Sequence, residues 1–433
     1  MHTEFLILEK SPALQGVSAL NGAKNAVLVI MASLILTSGK SVLHNVPFSH
    51  DVFQMIALLE SLGAHVVIVA EGNTLIIDTS SIVHFAVSAD IMKKMRASIL
   101  VMGPLLARFG KAAIALPGGC LIGDRPVDMH LNAFARMGAA ISLEGPYLHA
   151  IASKLSAQRF ILSYPSVGAT ENIMMAAVLT EGKTTIVNAA LEPEVFDLIA
   201  VLTRMGANIT LHPAGVIDII GVKELVPVEH TIIMDRLEAG TLLLAAAVTG
   251  GEITLPQGPA SSLEVFLEKL SEMGHSIDVG LDGIGIHLKA TRSPRAVSFK
   301  TMPYPGFPTD LQAPMMVAQC LADGMSNVTE TVFENRMLHV RELQKMGAHI
   351  ELEGMTAKIK GVDALYGASL IASDIRASAA LVIAGIVAQG TSTMSGVHHL
   401  LRGYQDLCGT MQRLGAKIQF KTDVAPATHF VQE

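Results

Sequence analysis

A leucine-glycine or methionine-glycine pair recurs along this chain at Leu62-Gly63, Met137-Gly138, Met205-Gly206, Met273-Gly274, Met346-Gly347 and Leu414-Gly415. The interval is roughly 70 residues, longer than most stacked repeats. A second marker, a glycine closing an apolar run, interleaves at Gly39, Gly110, Gly182, Gly251, Gly324 and Gly390. Two markers in register restrict the chain to six equivalent units. Each unit opens with a stretch apolar on nearly every side, at 26–37, 97–108, 170–180, 240–249, 311–322 and 377–388. A helix that is hydrophobic all round is buried all round. After the marker glycine come a short strand (41–45, 112–116, 184–188), a loop, and an amphipathic helix (52–62, 129–137, 195–205). Alternating strands close the unit, as at 65–69 with 74–78 or 349–353 with 356–360.

This grammar places helices inside and strands outside, the reverse of an ordinary barrel. Six such units in 433 residues exceed what a single core serves. The expected fold is therefore α/β, with two lobes of three βαβαββ-type repeats around parallel buried helices. Residues 22–229 form one lobe, and residues 1–21 with 230–433 form the other. The chain crosses between them near Asn21-Gly22 and again between Val228 and Arg236. Half the residues are hydrophobic and tryptophan is absent, so Leu, Ile, Val, Ala and Met must build both cores.

The buried helices begin with polar residues: Lys24 and Asn25, Arg96, Ser166 to Glu171, Asp235 to Glu238, Thr309-Asp310, and Asp374 with Arg376. Helix N-termini carry unsatisfied N–H groups and partial positive charge, so Ser, Thr and Asp there are explained by capping. Capping does not explain Lys24, Arg96 or Arg376, because a cation opposes the dipole. Their placement implies an anion in front of them.

The loops that precede the amphipathic helices vary. Unit three carries Glu192-Pro193-Glu194, unit five Val332 to Arg336, and unit six Leu401-Arg402-Gly403. Unit two has the longest such loop, Leu116 to Asp128, with Cys120 among glycines and Arg125 just behind it. In isolation this is either a surface turn or a functional loop. As the elongated copy of a repeat it reads as functional, and a nearby cation favours a thiolate. Cys120, Cys320 and Cys408 stand far apart, which argues for reduced thiols and a cytoplasmic setting without a disulfide framework. No secretion signal opens the chain, and its longest apolar run, 26–36, is well short of the ~20 residues that span a bilayer. A net charge of -7 without any basic run argues against nucleic acid. Dinucleotide, P-loop, zincin and serine-hydrolase motifs are absent, and the histidines form no metal pattern.

Segments 21–25, 94–103, 117–128, 166–170, 307–312, 330–339, 374–378 and 402–404 together resemble the enolpyruvyl transferase family, above all its UDP-N-acetylglucosamine 1-carboxyvinyltransferases. The most specific matches are Pro117-Gly118-Gly119-Cys120 followed by Arg125-Pro126-Val127-Asp128, and Phe307-Pro308-Thr309-Asp310. The resemblance covers the whole chain. It implies an inside-out α/β barrel of two lobes closing on a cleft. It also implies transfer of enolpyruvate from phosphoenolpyruvate to the 3-hydroxyl of UDP-N-acetylglucosamine, with phosphate released and with neither cofactor nor metal. Carried over, Lys24, Arg125 and Arg402 resemble the phosphoenolpyruvate-binding cations, with Arg96 and Arg376 nearby. Cys120 resembles the acid at the methylene carbon and the residue alkylated by fosfomycin. Asp310 resembles the base or orienting group for the sugar hydroxyl. Asn25 and Val332 would touch the sugar and diphosphate, while Arg125, Pro126, Val127 and Asp128, with Ser166, Val167 and Gly168, would line the uridine. Glu192 and Arg336 resemble further cleft positions. Two departures, Leu100 where tryptophan is frequent and Tyr164 where lysine is, fall on the nucleotide-sugar side. The shikimate-pathway transferase and a silent nucleotide-sugar-binding paralogue remain the alternatives.

Overall fold

The computed structural model describes residues 3–115 and 127–423. Its strands form six four-stranded sheets of one recurring topology. In the first unit Lys40–His44 pairs antiparallel with Thr74–Asp78, which pairs antiparallel with His65–Val69. The fourth strand is donated by a neighbouring unit and always runs parallel: Ala86–Val87 joins Lys111–Ala115, and Arg159–Ile161 joins Lys183–Val187. Glu229–Thr231, at the end of unit three, returns to Lys40–His44 and closes the first ring. The second ring closes through the N-terminus. Thr3–Glu9 lies between Thr391–Ser395 and Lys417–Asp423, antiparallel to both, as the missing third strand of unit six. Gln15–Val17 then adds in parallel to Glu252–Pro259 of unit four.

The inner strands of the sheets alternate, as in Lys40–His44 and Thr74–Asp78, turning Leu43, Leu75 and Ile77 inward onto the helices, while outer strands such as His65–Val69 are largely exposed. The inner helices are buried on every side, as their composition requires: Arg376 to Ile386 are all buried within the helix Ile375–Val387. Their apolar side chains fall into two clusters. One is drawn from Ala23 to Ile232, the other from Leu6 to Leu20 and from Leu237 to Ile418. No described helix is long and apolar enough to cross a membrane.

The glycine repeat has a common backbone cause. Gly63, Gly138, Gly206, Gly274, Gly347 and Gly415 all have φ between 91° and 108°, the left-handed geometry that ends a helix and is costly for residues with a Cβ. The second marker is left-handed too at Gly39, Gly110, Gly182, Gly324 and Gly390, but in unit four that residue is Gly250 (φ 72°), one before the expected Gly251. Gly251 is required for a different reason, since a Cβ there would lie 2.1 Å from the Leu14 carbonyl oxygen. Three inner helices are also shorter than their apolar runs, because a 3-10 turn takes up part of the run: Leu34–Leu36, Arg96–Val101 and Thr309–Leu311.

The two passages between the clusters lie side by side. Gly22 bridges Met234 in antiparallel fashion, Ala23 N–H donates to the Ile233 carbonyl (2.7 Å), and Asp235 N–H donates to the Asn21 carbonyl (2.9 Å). Glu238 clasps the same strip, accepting from the backbone and side-chain N–H groups of Asn21, both at 2.8 Å.

Candidate active site

The paired crossing delivers two inner helices, Lys24–Ser33 and Arg236–Thr249, to one place. Ala23 offers the first of these no side-chain cap. Asp235 serves both: its Oδ1 caps Leu237 N–H and Glu238 N–H, and its Oδ2 accepts from Lys24 N–H at 3.4 Å. Lys24 is thus anchored at its backbone by a residue 211 positions away.

Its side chain is anchored as well. Lys24 Nζ donates to Asp51 Oδ2 (3.2 Å), and Arg402 Nε donates to Asp51 Oδ1 (2.9 Å). Asp51 is the second residue of the helix His50–Leu62, where the dipole favours a carboxylate. Arg402 sits in the last turn of His398–Gly403, where the dipole favours a cation. Asn25 is exposed at the same helix start as Lys24.

A second charged group surrounds Asp310. Arg336 Nη2 donates to Asp310 Oδ1 (2.5 Å) and Arg376 Nη2 to Oδ2 (2.7 Å). Burial alone would raise the carboxyl, but Arg376 and Arg336 outweigh it and hold it well below the usual carboxylate range. An acid so strong is a feeble proton acceptor. The geometry therefore favours Asp310 as an orienting acceptor over Asp310 as a base. Arg336 also donates to Thr309 Oγ1 (2.8 Å), and Arg376 to the Tyr404 hydroxyl (3.1 Å). Beneath them Glu330, 1% exposed, takes Thr309 Oγ1 on one oxygen and Thr301 Oγ1 with Val332 N–H on the other, all at 2.8 Å. Val332 is half-buried on this turn.

The helix Val167–Ala177 starts three residues after Tyr164, which lies within electrostatic reach of Glu192 and Glu330. Ser166 Oγ caps only Ala169 N–H, at 3.4 Å. The half-buried start at Val167 and Gly168 keeps N–H groups of the kind that bind phosphate oxygens. A Cβ at Gly168 would meet His130 Cε1 at 3.3 Å and Leu100 Cδ2 at 4.0 Å, so those two side chains floor the turn. Val127 packs against the first cluster, and Asp128 is exposed at the start of Asp128–Arg136. Nearby, Glu192 Oε1 accepts weakly from Tyr304 N–H (3.5 Å), and its buried Oε2 has no hydrogen-bond partner among the described residues. Burial raises this carboxyl, and it pushes Glu171, which also feels Glu194 and Glu192, well above its usual value. Arg236 grips Glu194 through Nε (3.0 Å) and Nη2 (3.2 Å).

The structure thus joins Lys24 to Arg402, and Asp310 to Arg336 and Arg376. Lys24 and Arg376 do face anions, but these are the protein's own Asp51 and Asp310. The sequence reading missed Asp51 and Glu330. Asp51 looks like a helix-opening acid, and Glu330 lies in an undistinguished Thr-Glu-Thr run. Cys120, Arg125 and Pro126 lie outside the described residues, as does the side chain of Arg96. Cys320 and Cys408 are described, and burial pushes both thiols up to about 12, so neither is a thiolate at neutral pH. Among the described residues no group of His, Cys, Asp and Glu could hold a metal ion.

The family model of EPSP synthase (3-phosphoshikimate 1-carboxyvinyltransferase) matches residues 8–425. The UDP-N-acetylglucosamine 1-carboxyvinyltransferase of Geobacter metallireducens is 46% identical over 414 residues, spanning 96% of this chain and 98% of the relative. That of Desulfosudis oleivorans is 47% identical over the same extent. Among solved structures, the enolpyruvyl transferase NikO from Streptomyces tendae superposes with a TM-score of 0.89 at 24% identity, covering 98% of this chain and all of that one. EPSP synthase from Acinetobacter baumannii gives 0.75 at 18% identity, covering 97% of this chain and all of its own. Both share the two-lobe α/β architecture.

Proposed function

Because the chain belongs to the enolpyruvyl transferase family, we propose that the site moves the enolpyruvyl group of phosphoenolpyruvate onto the 3-hydroxyl of UDP-N-acetylglucosamine and releases phosphate. The observation that carries this reading is the convergence of Lys24 and Arg402, 378 positions apart in sequence, on one buried carboxylate. Two cations so placed, together with Arg125, suit the phosphate and carboxylate of phosphoenolpyruvate. Arg96 and Arg376 add positive potential around the same anion.

In the forward reaction the sugar O3 bonds to C2 of phosphoenolpyruvate and loses its hydroxyl proton to a phosphate oxygen, while a proton reaches C3 and the C2–C3 double bond becomes single. The C2–O bond to phosphate then breaks as C3 returns its proton to the donor, which restores the double bond and releases phosphate carrying the hydroxyl proton. Cys120 supplies the proton at C3, and Asp310, held ionised by its arginines, accepts a hydrogen bond from the 3-hydroxyl and aims it. Asn25 and Val332 flank the sugar and diphosphate. The helix start at Ser166, Val167 and Gly168, together with Arg125, Pro126, Val127 and Asp128, lines the uridine. Glu192 and Arg336 complete the wall. The two hydrophobic clusters support two lobes, 22–229 and 1–21 with 230–433, with the second boundary moved a few residues on because Ile232 and the strand Glu229–Thr231 pack with the first lobe, and the paired crossing is their hinge. The substrates, both metabolites of the cell interior, assign the reaction to the cytoplasm.

Phosphate release tests the assignment. It is expected with UDP-N-acetylglucosamine plus phosphoenolpyruvate and not with shikimate 3-phosphate; the reverse preference would identify the shikimate-pathway reaction, and no release with either would identify a silent paralogue.

A further inference from the structure

We propose that Asp51 is a positioning residue for the phosphoenolpyruvate site, gathering Lys24 and Arg402 from two separate hydrophobic clusters onto its two carboxylate oxygens. The inference rests on the reading of that site given above. Lys24 and the helix His50–Leu62 belong to the first cluster, and the helix His398–Gly403 packs through Leu400 into the second. Without a shared carboxylate two cations this close repel. Asp51 removes that repulsion and does so from below: it is 3% exposed, fixed in the first turn of its helix, and cannot swing into the ligand space.

The manner of contact matters more than the charge balance. Arg402 meets Asp51 only through Nε, and among the described residues its two terminal nitrogens donate to nothing. The guanidinium is therefore held by its inner edge with its outer fork free, the face that takes a phosphate or carboxylate in two parallel bonds. Among the described residues Lys24 Nζ likewise donates only to Asp51, with one of its three N–H groups. A lysine stem loses much rotamer freedom on binding, and holding it in place beforehand removes that loss from the affinity. A further bond beside the pair, Phe48 N–H to Gln405 Oε1 (3.0 Å), joins the same two segments without charge. It keeps them adjacent when Asp51 is altered.

The test uses the full-length protein with Asp51→Asn and Asp51→Glu. Asp51→Asn is expected to raise KM for phosphoenolpyruvate about tenfold or more, leave KM for UDP-N-acetylglucosamine within about twofold, and lose its effect when Arg402→Ala is already present. Asp51→Glu should fall between the two. An unchanged or lowered KM for phosphoenolpyruvate in Asp51→Asn would overturn the proposal, because it would make Asp51 a bystander or a competitor for the cations. If wild type releases no phosphate, the functional reading fails on its own. Calorimetric titration with phosphoenolpyruvate then decides the role of Asp51: about tenfold weaker binding in Asp51→Asn supports it, and equal or tighter binding overturns it. Should Asp51→Asn not fold, the same titration of Asp51→Glu decides, with about threefold weakening for the proposal and an unchanged Kd against it.

Discussion

Glu238 holds the crossing between the lobes with a carboxyl that does not want to be charged. It is 2% exposed and accepts both N–H groups of Asn21 at 2.8 Å. Burial, and then repulsion from Asp235, push its pKa from 4.5 up to about 7. A carboxyl with a raised folded pKa binds its proton more tightly in the native state. Its stabilising effect is thus complete below about pH 4.5 and is lost as pH rises through about 7. A shift of this size corresponds to about 3 kcal/mol. Glu238→Gln is neutral at every pH and nearly the same shape. Its carbonyl can take Asn21 N–H, and its amide can donate to the Asn21 side chain once that amide is turned over. Urea denaturation of both proteins between pH 5 and 8 should therefore show wild type losing up to about 3 kcal/mol more than the variant over this range. Parallel pH profiles would refute the argument, because they would mean that Glu238 is already ionised in the folded protein at pH 5.

The remaining predictions concern single positions. Gly22→Ala places a Cβ 1.8 Å from the Asn45 carbonyl oxygen, so the melting temperature should drop by an amount equivalent to about 1–3 kcal/mol or more; an unshifted melt would mean the crossing is not packed as described. Arg376→Gln leaves Asp310 with one cation instead of two. Turnover measured by phosphate release should fall about 100-fold, whereas unchanged turnover would detach the Arg376–Asp310 pair from the reaction. Cys120→Ser should slow turnover and abolish inactivation by fosfomycin, since an alkoxide forms far less readily than a thiolate; inactivation at the wild-type rate would point to another residue. Tyr164, a phenol kept neutral by burial, Glu192 and Glu330, should improve affinity for UDP-N-acetylglucosamine when changed to lysine, with KM for phosphoenolpyruvate unmoved as the control.

What could be read in the sequence was whatever repeats or alternates. The strands at 65–69, 74–78, 349–353 and 356–360 stand where their patterns put them, and the apolar helices are inside. Where the backbone tightens into Leu34–Leu36 could not be read, because a run apolar on every side carries no phase to mark the change. The shift from Gly251 to Gly250 was hidden for a similar reason: two adjacent glycines serve two purposes, and only coordinates separate them. The charges were half legible. Lys24 and Arg376 stood out for opposing their helix dipoles, which led to an anion outside the protein. The carboxylates that face them, Asp51 and Asp310, come from other elements, and Asp51 serves Arg402 across 351 positions. No local pattern encodes a partnership of that length.

The strand Thr3–Glu9 has a consequence for how the molecule is made. It leaves the ribosome well before its neighbours on both sides, Thr391–Ser395 and Lys417–Asp423, which lie about 400 residues further along the chain. The ring closed by Glu229–Thr231 uses only contiguous chain and can be complete while translation continues. The other ring must wait, with Thr3–Glu9 carried as an unpaired apolar strand until both partners have been made. During that interval Leu6 and Leu8, fully buried at the end, are exposed and open to wrong pairing. Pairing across so long a stretch of chain is of the kind that forms slowly, so the second ring closes after the first.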